Sequence, residues 1–268
     1  MTRKIVKNIK LFREFLRLRI AVIKEYPINL VSDLGMRFLE FGFFFIMWKS
    51  IFGAKGIIPG WDIPSLMVLY SFESLFIALL ITFTYSAIGM WKNIHEGRID
   101  KYLCRPTNPW FMVIGERMGM AIGGYFVGIG GLVMCFFLFD VQLFQPALIF
   151  GLILVLLATA IATLFCMIMA TMSFWFGKIE FIDSIFDSLM EFDQFPQNIF
   201  PWQIQTALSI TLPFLFAHTI PTLSLFGKIS LMETAQWIVV ALGVVALNYL
   251  LFSFLWNRGL KRYEAHGG

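Results

Sequence analysis

Apolar residues come in long runs along this chain, and polar residues gather in the gaps between them. A helix of about 20 apolar residues crosses a bilayer. Runs of that size lie at about 29–52, 63–90, 110–139, 147–176 and 234–256. Ahead of them, Ile5, Ile9, Phe12, Leu16, Ile20 and Ile23 recur at helical spacing, while Arg3, Lys7, Lys10, Arg17 and Lys24 take another face. That pattern predicts a basic amphipathic helix over 1–28, lying in the membrane interface and ended by Pro27. It has no apolar core or cleavage site of a signal peptide.

Residues 53–62 and 140–146 read as turns, and 91–109, WKNIHEGRIDKYLCRPTNP, is the main polar interruption of the first two thirds. Asn93 with Glu96 three positions on has the form of a capping box, predicting a short helix from about Ile94 to Leu103 that Pro106 ends. The helix is too polar to insert.

Polar residues inside the spans carry information because charge at membrane depth is costly. The first span holds Asp33, Arg37 and Glu40, and the last two are three apart, close enough to pair on one helix face. Glu73 is the acid of the second span, and Glu116 and Arg117 stand early in the third. These are candidates for pathway lining or for structural pairing. The third span also carries Gly115, Gly119 and Gly123 at intervals of four, and Gly124 and Gly128 likewise. Small residues at that spacing let helices approach closely, so this span belongs in the interior of the bundle or at a subunit seam.

Residues 179–195 are ambiguous. Phe181, Ile185, Phe186, Leu189 and Phe192 form an apolar stripe among Glu180, Asp183, Asp187, Glu191 and Asp193. By hydropathy the segment reads as a surface helix on the cytoplasmic side, with the fifth span at 203–226; the alternative makes it a short, polar fifth span. Four prolines follow, Pro196, Pro201, Pro213 and Pro221, too many for one straight span. A re-entrant element over 196–227 fits better, since irregular backbone at membrane depth is tolerated where protein buries it.

Composition agrees with the pattern. Of 268 residues, 59% are hydrophobic and 14% charged, and mean hydropathy is +0.77. That excludes an ordinary soluble domain, in which charged residues make up about 25%. The 31 Phe and 14 Met suit helix packing and lipid contact. Cations cluster in 1–24, in 91–109 (Lys92, Arg98, Lys101, Arg105) and at Arg258, Lys261 and Arg262. Basic residues at span ends stay on the cytoplasmic side, so both termini and the central loop are expected inside. Cations that flank spans do not make a nucleic-acid surface. Cys104, Cys135 and Cys166 form no disulfide or metal pattern.

The order of parts resembles the permease subunits of type-2 ATP-binding-cassette (ABC) exporters, in the branch whose permease is a separate chain. The resemblance rests on Gly97-Arg98-Ile99-Asp100-Lys101-Tyr102-Leu103-Cys104-Arg105-Pro106, on Pro196 to Pro201 followed by Leu212-Pro213-Phe214 and Pro221, and on Phe174-Trp175. It implies an all-α, polytopic membrane protein with six transmembrane helices. The N-terminal amphipathic helix comes first, residues 29–268 form the transmembrane domain, 179–195 becomes the fifth span, and an external re-entrant element precedes the last. It also implies a coupling helix within 91–106 (Ile94, His95, Glu96, Gly97, Arg98, Ile99, Asp100, Lys101, Tyr102, Leu103) that seats in an ATPase. Ile99, Tyr102 and Leu103 would be the apolar anchors of that contact. At Glu191-Phe192-Asp193 the chain departs from the small residues usual in the family, which implies a wetter outer end of span five.

No G-x-x-x-x-G-K-[ST] occurs, so no cofactor is expected in this chain, and ATP and Mg belong to a partner. The implied partners are two ABC ATPase subunits, a second permease, identical or related, and the lipid bilayer of a bacterial or archaeal cytoplasmic membrane. The alternative is an ion-coupled transporter or channel relaying protons through Glu40, Glu73, Glu116 and Arg117, but no inverted repeat supports it. An intramembrane enzyme is poorly served, because His95, His218 and His266 fall on a loop, the re-entrant region and the tail.

Overall fold

The computed structural model describes residues 2–53, 60–119, 121–142, 144–190, 195–197 and 200–263. Glu191, Phe192, Asp193 and His266 lie outside them. The described residues form helices and connecting turns, with no strand among them.

Helix α1, Thr2–Glu25, ends before Pro27, where α2 begins and runs to Gly53. A helix of that length reaches about 40 Å. Helix α3, Ile63–Leu79, starts at a reciprocal cap. The Asp62 side chain accepts from the Ser65 amide at 3.1 Å, and Ser65 Oγ accepts from the Asp62 amide at 3.0 Å. It continues through a π-helical turn at Leu80–Thr84 into α4, Tyr85–Ile88, and α5, Met90–His95. Helix α6, Asp100–Leu103, is a single turn. Asn108 then caps α7, Pro109–Arg117, by accepting from Trp110 and Phe111. Helix α8, Ile122–Phe139, ends at Asp140 in the left-handed region, φ 52°.

Helices α9, Pro146–Thr171, and α10, Ser173–Phe176, follow, then α11, Phe181–Met190, α12, Trp202–Thr211, and α13, Ile220–Leu225. A second π-helical turn, Leu215–Thr219, precedes α13. Helix α14, Leu231–Arg262, opens with a Ser230–Glu233 capping box. Such caps are worth about 1 kcal/mol each.

Among the described residues, four helical stretches are long and apolar enough to cross a membrane: Ile63–His95, Ile122–Phe139, Pro146–Phe176 and Leu231–Arg262. Trp202–Thr211 with Leu215–Leu225, bent by 91°, makes a fifth if counted as one span. Helix α2 is long enough but carries Asp33, Arg37, Glu40 and Lys49. The expected third span is two helices, α7 ending at Arg117 and α8 beginning at Ile122. Beside that break, a Cβ at Gly119 would meet the Ile81 carbonyl at 2.8 Å, and one at Gly123 would meet the Asp33 carboxylate at 2.5 Å.

Helix α3 is the centre of the bundle and α14 its rim: 78% and 17% of their most apolar stretches are buried. Helix α8 lies along α3. A Cβ at Gly128 would meet the Ser71 carbonyl at 2.9 Å and the Leu75 side chain at 2.6 Å, and one at Gly124 would meet Ala78 Cβ at 3.0 Å. In lipid, where apolar side chains gain little from leaving their solvent, such backbone contact is a main source of helix association.

Two ends of the bundle are distinct. At one, Lys7, Arg19, the 96–106 segment and Tyr263 come together. At the other, Lys228 Nζ donates to the Gly60 carbonyl at 2.7 Å, and Gln145 Nε2 to the Leu225 carbonyl at 2.7 Å. The turns around 60, 145 and 227 therefore share the end away from the central loop.

Candidate functional site

The central loop is held from several sides. Helix α5 continues the α3 stretch to His95, so Asn93 is a buried helical residue and not a cap. The expected capping box is absent for that reason. The Asn93 carbonyl instead accepts from the Ile99 amide at 3.0 Å, and Glu96 pairs with Arg98. The chain reverses at Gly97, whose φ of 69° favours a residue without a Cβ. One continuous helix over 94–103 is thus replaced by two short ones, α5 and α6, around this turn.

Below the turn, Glu116 of α7 gathers three groups. It accepts from the Tyr102 hydroxyl at 3.0 Å and from Arg105 Nη1 at 3.1 Å, and Lys101 Nζ lies 3.8 Å away. Arg19 of α1 donates to the Glu116 carbonyl. The Phe15 ring lies where a Cβ on Gly115 would sit. From α14, the Tyr263 hydroxyl donates to the Gly97 carbonyl at 3.1 Å. Its burial, the hydrogen bond with Asp100 and that carboxylate's charge push its phenol up to about 12. The phenol therefore stays a neutral donor throughout the physiological range.

Ile94, Ile99 and Tyr102 are buried within this chain, with Ile99 and Tyr102 at 0% and 1% exposure. Only Leu103 of the three expected anchors is open, at 37%. Spacing alone could not decide this, because an apolar pair three apart can face the chain's own interior or a partner. His95, Glu96, Arg98, Lys101 and Leu103 make the outward surface, while Gly97 and Asp100 are half-buried.

The polar residues of the spans divide into two places. Arg37, Glu40 and Glu73 line one cavity of about 580 Å³, with Phe43, Phe44, Met47 and Tyr70. Arg37 Nη1 lies 2.8 Å from Glu40 and its Nε 3.8 Å from Asp33. Asp33 also accepts from the Gly123 amide at 2.8 Å, tying α2 to α8. Glu116 and Arg117 are not there. Glu116 sits under the loop, and exposed Arg117 rests against Gly89.

Sequence reasoning missed Tyr263, which reads as part of a basic tail, and the aromatic residues of the cavity. The latter had a signal: 37, 40, 44 and 47 recur at helical spacing on α2, as do 70, 73 and 77 on α3.

An all-helical bundle with several apolar spans defines a multi-pass membrane protein. Residues 38–267 match the family model described as “ABC-2 family transporter protein”, and the chain belongs to that family. It is thus a membrane component of a transporter and not itself an enzyme, and the family implies association with an ABC ATPase in general. No curated protein and no solved structure matches the chain.

Proposed function

We propose that this chain is the permease of an ATP-driven exporter, acting as a dimer with an identical or related permease and with two separate ABC ATPase chains that hold ATP and Mg. The observation that carries the reading is the anchoring of the 96–106 segment to α1, α7 and the end of α14 at once, through Lys7, Glu116 and Tyr263. A segment joined to three helices passes a displacement to all of them. A solvated connector would lack those ties. Its outward residues, His95, Glu96, Arg98, Lys101 and Leu103, would meet the ATPase. Buried Ile94, Ile99 and Tyr102 would carry the motion inward.

In this reading α2 is the first span, its charges paired within the bundle. Helices α7 and α8 form a broken third span, and 179–195 the fifth. The bent α12–α13 region is the external re-entrant element. Contact between Phe195 and Trp48, with ring centroids 6.5 Å apart, supports a crossing, because Trp48 lies near the far end of α2. The central loop and both ends of the sequence face the cytoplasm of a bacterial or archaeal cell, as the basic clusters favour. Arg37, Glu40 and Glu73 line the pathway.

Reconstituted vesicles containing the permease and its ATPase test the reading. Export should require hydrolysable ATP, and Leu103→Asp should abolish it while leaving the protein inserted. An ion-coupled carrier would transport without ATP and tolerate the change.

A further inference from the structure

Helix α1 has a charged outward side for which the proposed function has no use. We propose that this side binds anionic phospholipid headgroups; this rests on the reading that places the central loop outside the bilayer.

At 3.6 residues per turn, the four sides of α1 carry four kinds of residue. Phe15 and Arg19 face α7, where the ring fills the space beside Gly115 and the guanidinium donates to the Glu116 carbonyl. About a quarter-turn away, Lys7 Nζ donates to the Pro106 carbonyl at 3.5 Å, so that margin faces the central loop. The opposite margin is Ile9, Leu16, Ile20 and Ile23, with Ile9 62% and Ile20 45% exposed. The remaining side holds Lys10, Arg13, Arg17 and Lys24, all exposed, within about a sixth of the circumference.

That arrangement sets the helix against a membrane surface. The loop is polar and stays in water, so the margin turned away from it, Ile9 to Ile23, is the one that enters the bilayer. The cationic side borders this margin at headgroup level. Lys and Arg hold their charges there while their stems lie along apolar surface. Arg17 is met by Glu14 at 3.9 Å, both side chains being exposed, and among the described residues no ion pair involves Lys10, Arg13 or Lys24. Cations beside an apolar margin complement a negative lipid surface, whereas a zwitterionic headgroup offers them no net charge. A soluble acidic protein or a nucleic acid would meet the cations but leave Ile9 and Ile20 in water.

The test uses full-length protein in nanodiscs of equal phosphatidylglycerol and phosphatidylcholine, without ATPase or ATP. A photoreactive residue replaces Ile20, and mass spectrometry identifies the lipid it captures. Phosphatidylglycerol adducts should exceed phosphatidylcholine adducts at least about fivefold, the preference that one basic residue gives at an anionic surface. The ratio should fall toward one when Lys10→Gln, Arg13→Gln, Arg17→Gln and Lys24→Gln are combined, and likewise for the wild type in about 1 M salt, which screens surface charge. Should the combined variant fail to fold, the salt arm carries the test. The same photoreactive residue in place of Phe137, 74% exposed on α8, should capture the two lipids equally. Equal capture from position 20, a preference that survives both the substitutions and salt, a preference just as strong from position 137, or no lipid adduct would overturn the proposal. Because no ATPase is present, lipid preference without ATP-driven export would fail the permease reading alone, and ATP-driven export without lipid preference would fail this one alone.

Discussion

The hydroxyl of Tyr263 donates to the carbonyl of Gly97 at 3.1 Å, joining residues 166 positions apart in sequence. It links the end of the longest helix to the tightest turn of the central loop. Tyr263→Phe removes that bond and keeps the ring against Phe174, whose centroid is 6.0 Å away. Asp100 also bears on that phenol; a neutral hydrogen bond is worth about 1 kcal/mol and one to a charged group about 1.5–3 kcal/mol, so the loss should stay within about 3 kcal/mol. Coupling should suffer more. ATP turnover per molecule exported should rise in reconstituted vesicles, and Tyr263→Ala should raise it further.

The same bond predicts a pH profile. A phenol raised to about 12 is protonated in the folded protein where an ordinary tyrosine near 10 begins to ionise. Its contribution is intact below about pH 10 and is lost as pH rises from there through about 12. The wild type and Tyr263→Phe should therefore show the same stability change between pH 6 and 9 and diverge only above it, as followed by thermal unfolding in nanodiscs.

Glu116 is the second tie. Glu116→Ala would leave the hydroxyl of buried Tyr102 without its acceptor and Arg105 without its partner. Stranding a buried polar group costs about 1–3 kcal/mol. Glu116→Gln keeps an acceptor for Tyr102 and should cost less than half of that. Thermal unfolding of the two variants side by side checks the order.

Arg37 sits between two carboxylates, and this changes what a charge swap does. Arg37→Ala should destabilise by about 1–3 kcal/mol, more than Glu40→Ala, because it leaves both Asp33 and Glu40 uncompensated. Exchanging the charges of Arg37 and Glu40 should not restore the wild type, since a carboxylate at position 37 would face Asp33. The yield of folded protein from the singles and the double decides it.

Gly128 tests the central seam. Gly128→Leu must displace the Ser71 carbonyl and Leu75, and overpacking of this kind costs about 1–3 kcal/mol or more. Gly130, with nothing within 4 Å of its Cβ position, should accept Ala without loss.

Much of this architecture was legible. Apolar runs marked α3, α8, α9 and α14, and the glycine spacing placed α8 against a neighbour, because both signals depend only on period and size. The Arg37–Glu40 pair followed from a separation of three. Other features were hidden for physical reasons. The division between α7 and α8 lies between two apolar stretches and leaves no polar mark. The inward aim of Ile99 and Tyr102 depends on α7 passing beneath them, and their spacing is the same either way. Tyr263 is bound to a loop far away in sequence, a relationship that no local pattern encodes.

The central claim, that the outward face of the 96–106 segment is where the ATPase engages, is tested most directly by photo-crosslinking from position 103 in cells. Leu103 is the exposed apolar residue of that surface, and Phe137, 74% exposed on α8, serves as the control. A photoreactive residue in place of Leu103 should yield an adduct with an ABC ATPase, and one in place of Phe137 should not. Adducts from position 103 with lipid alone, or none at all, would contradict the account.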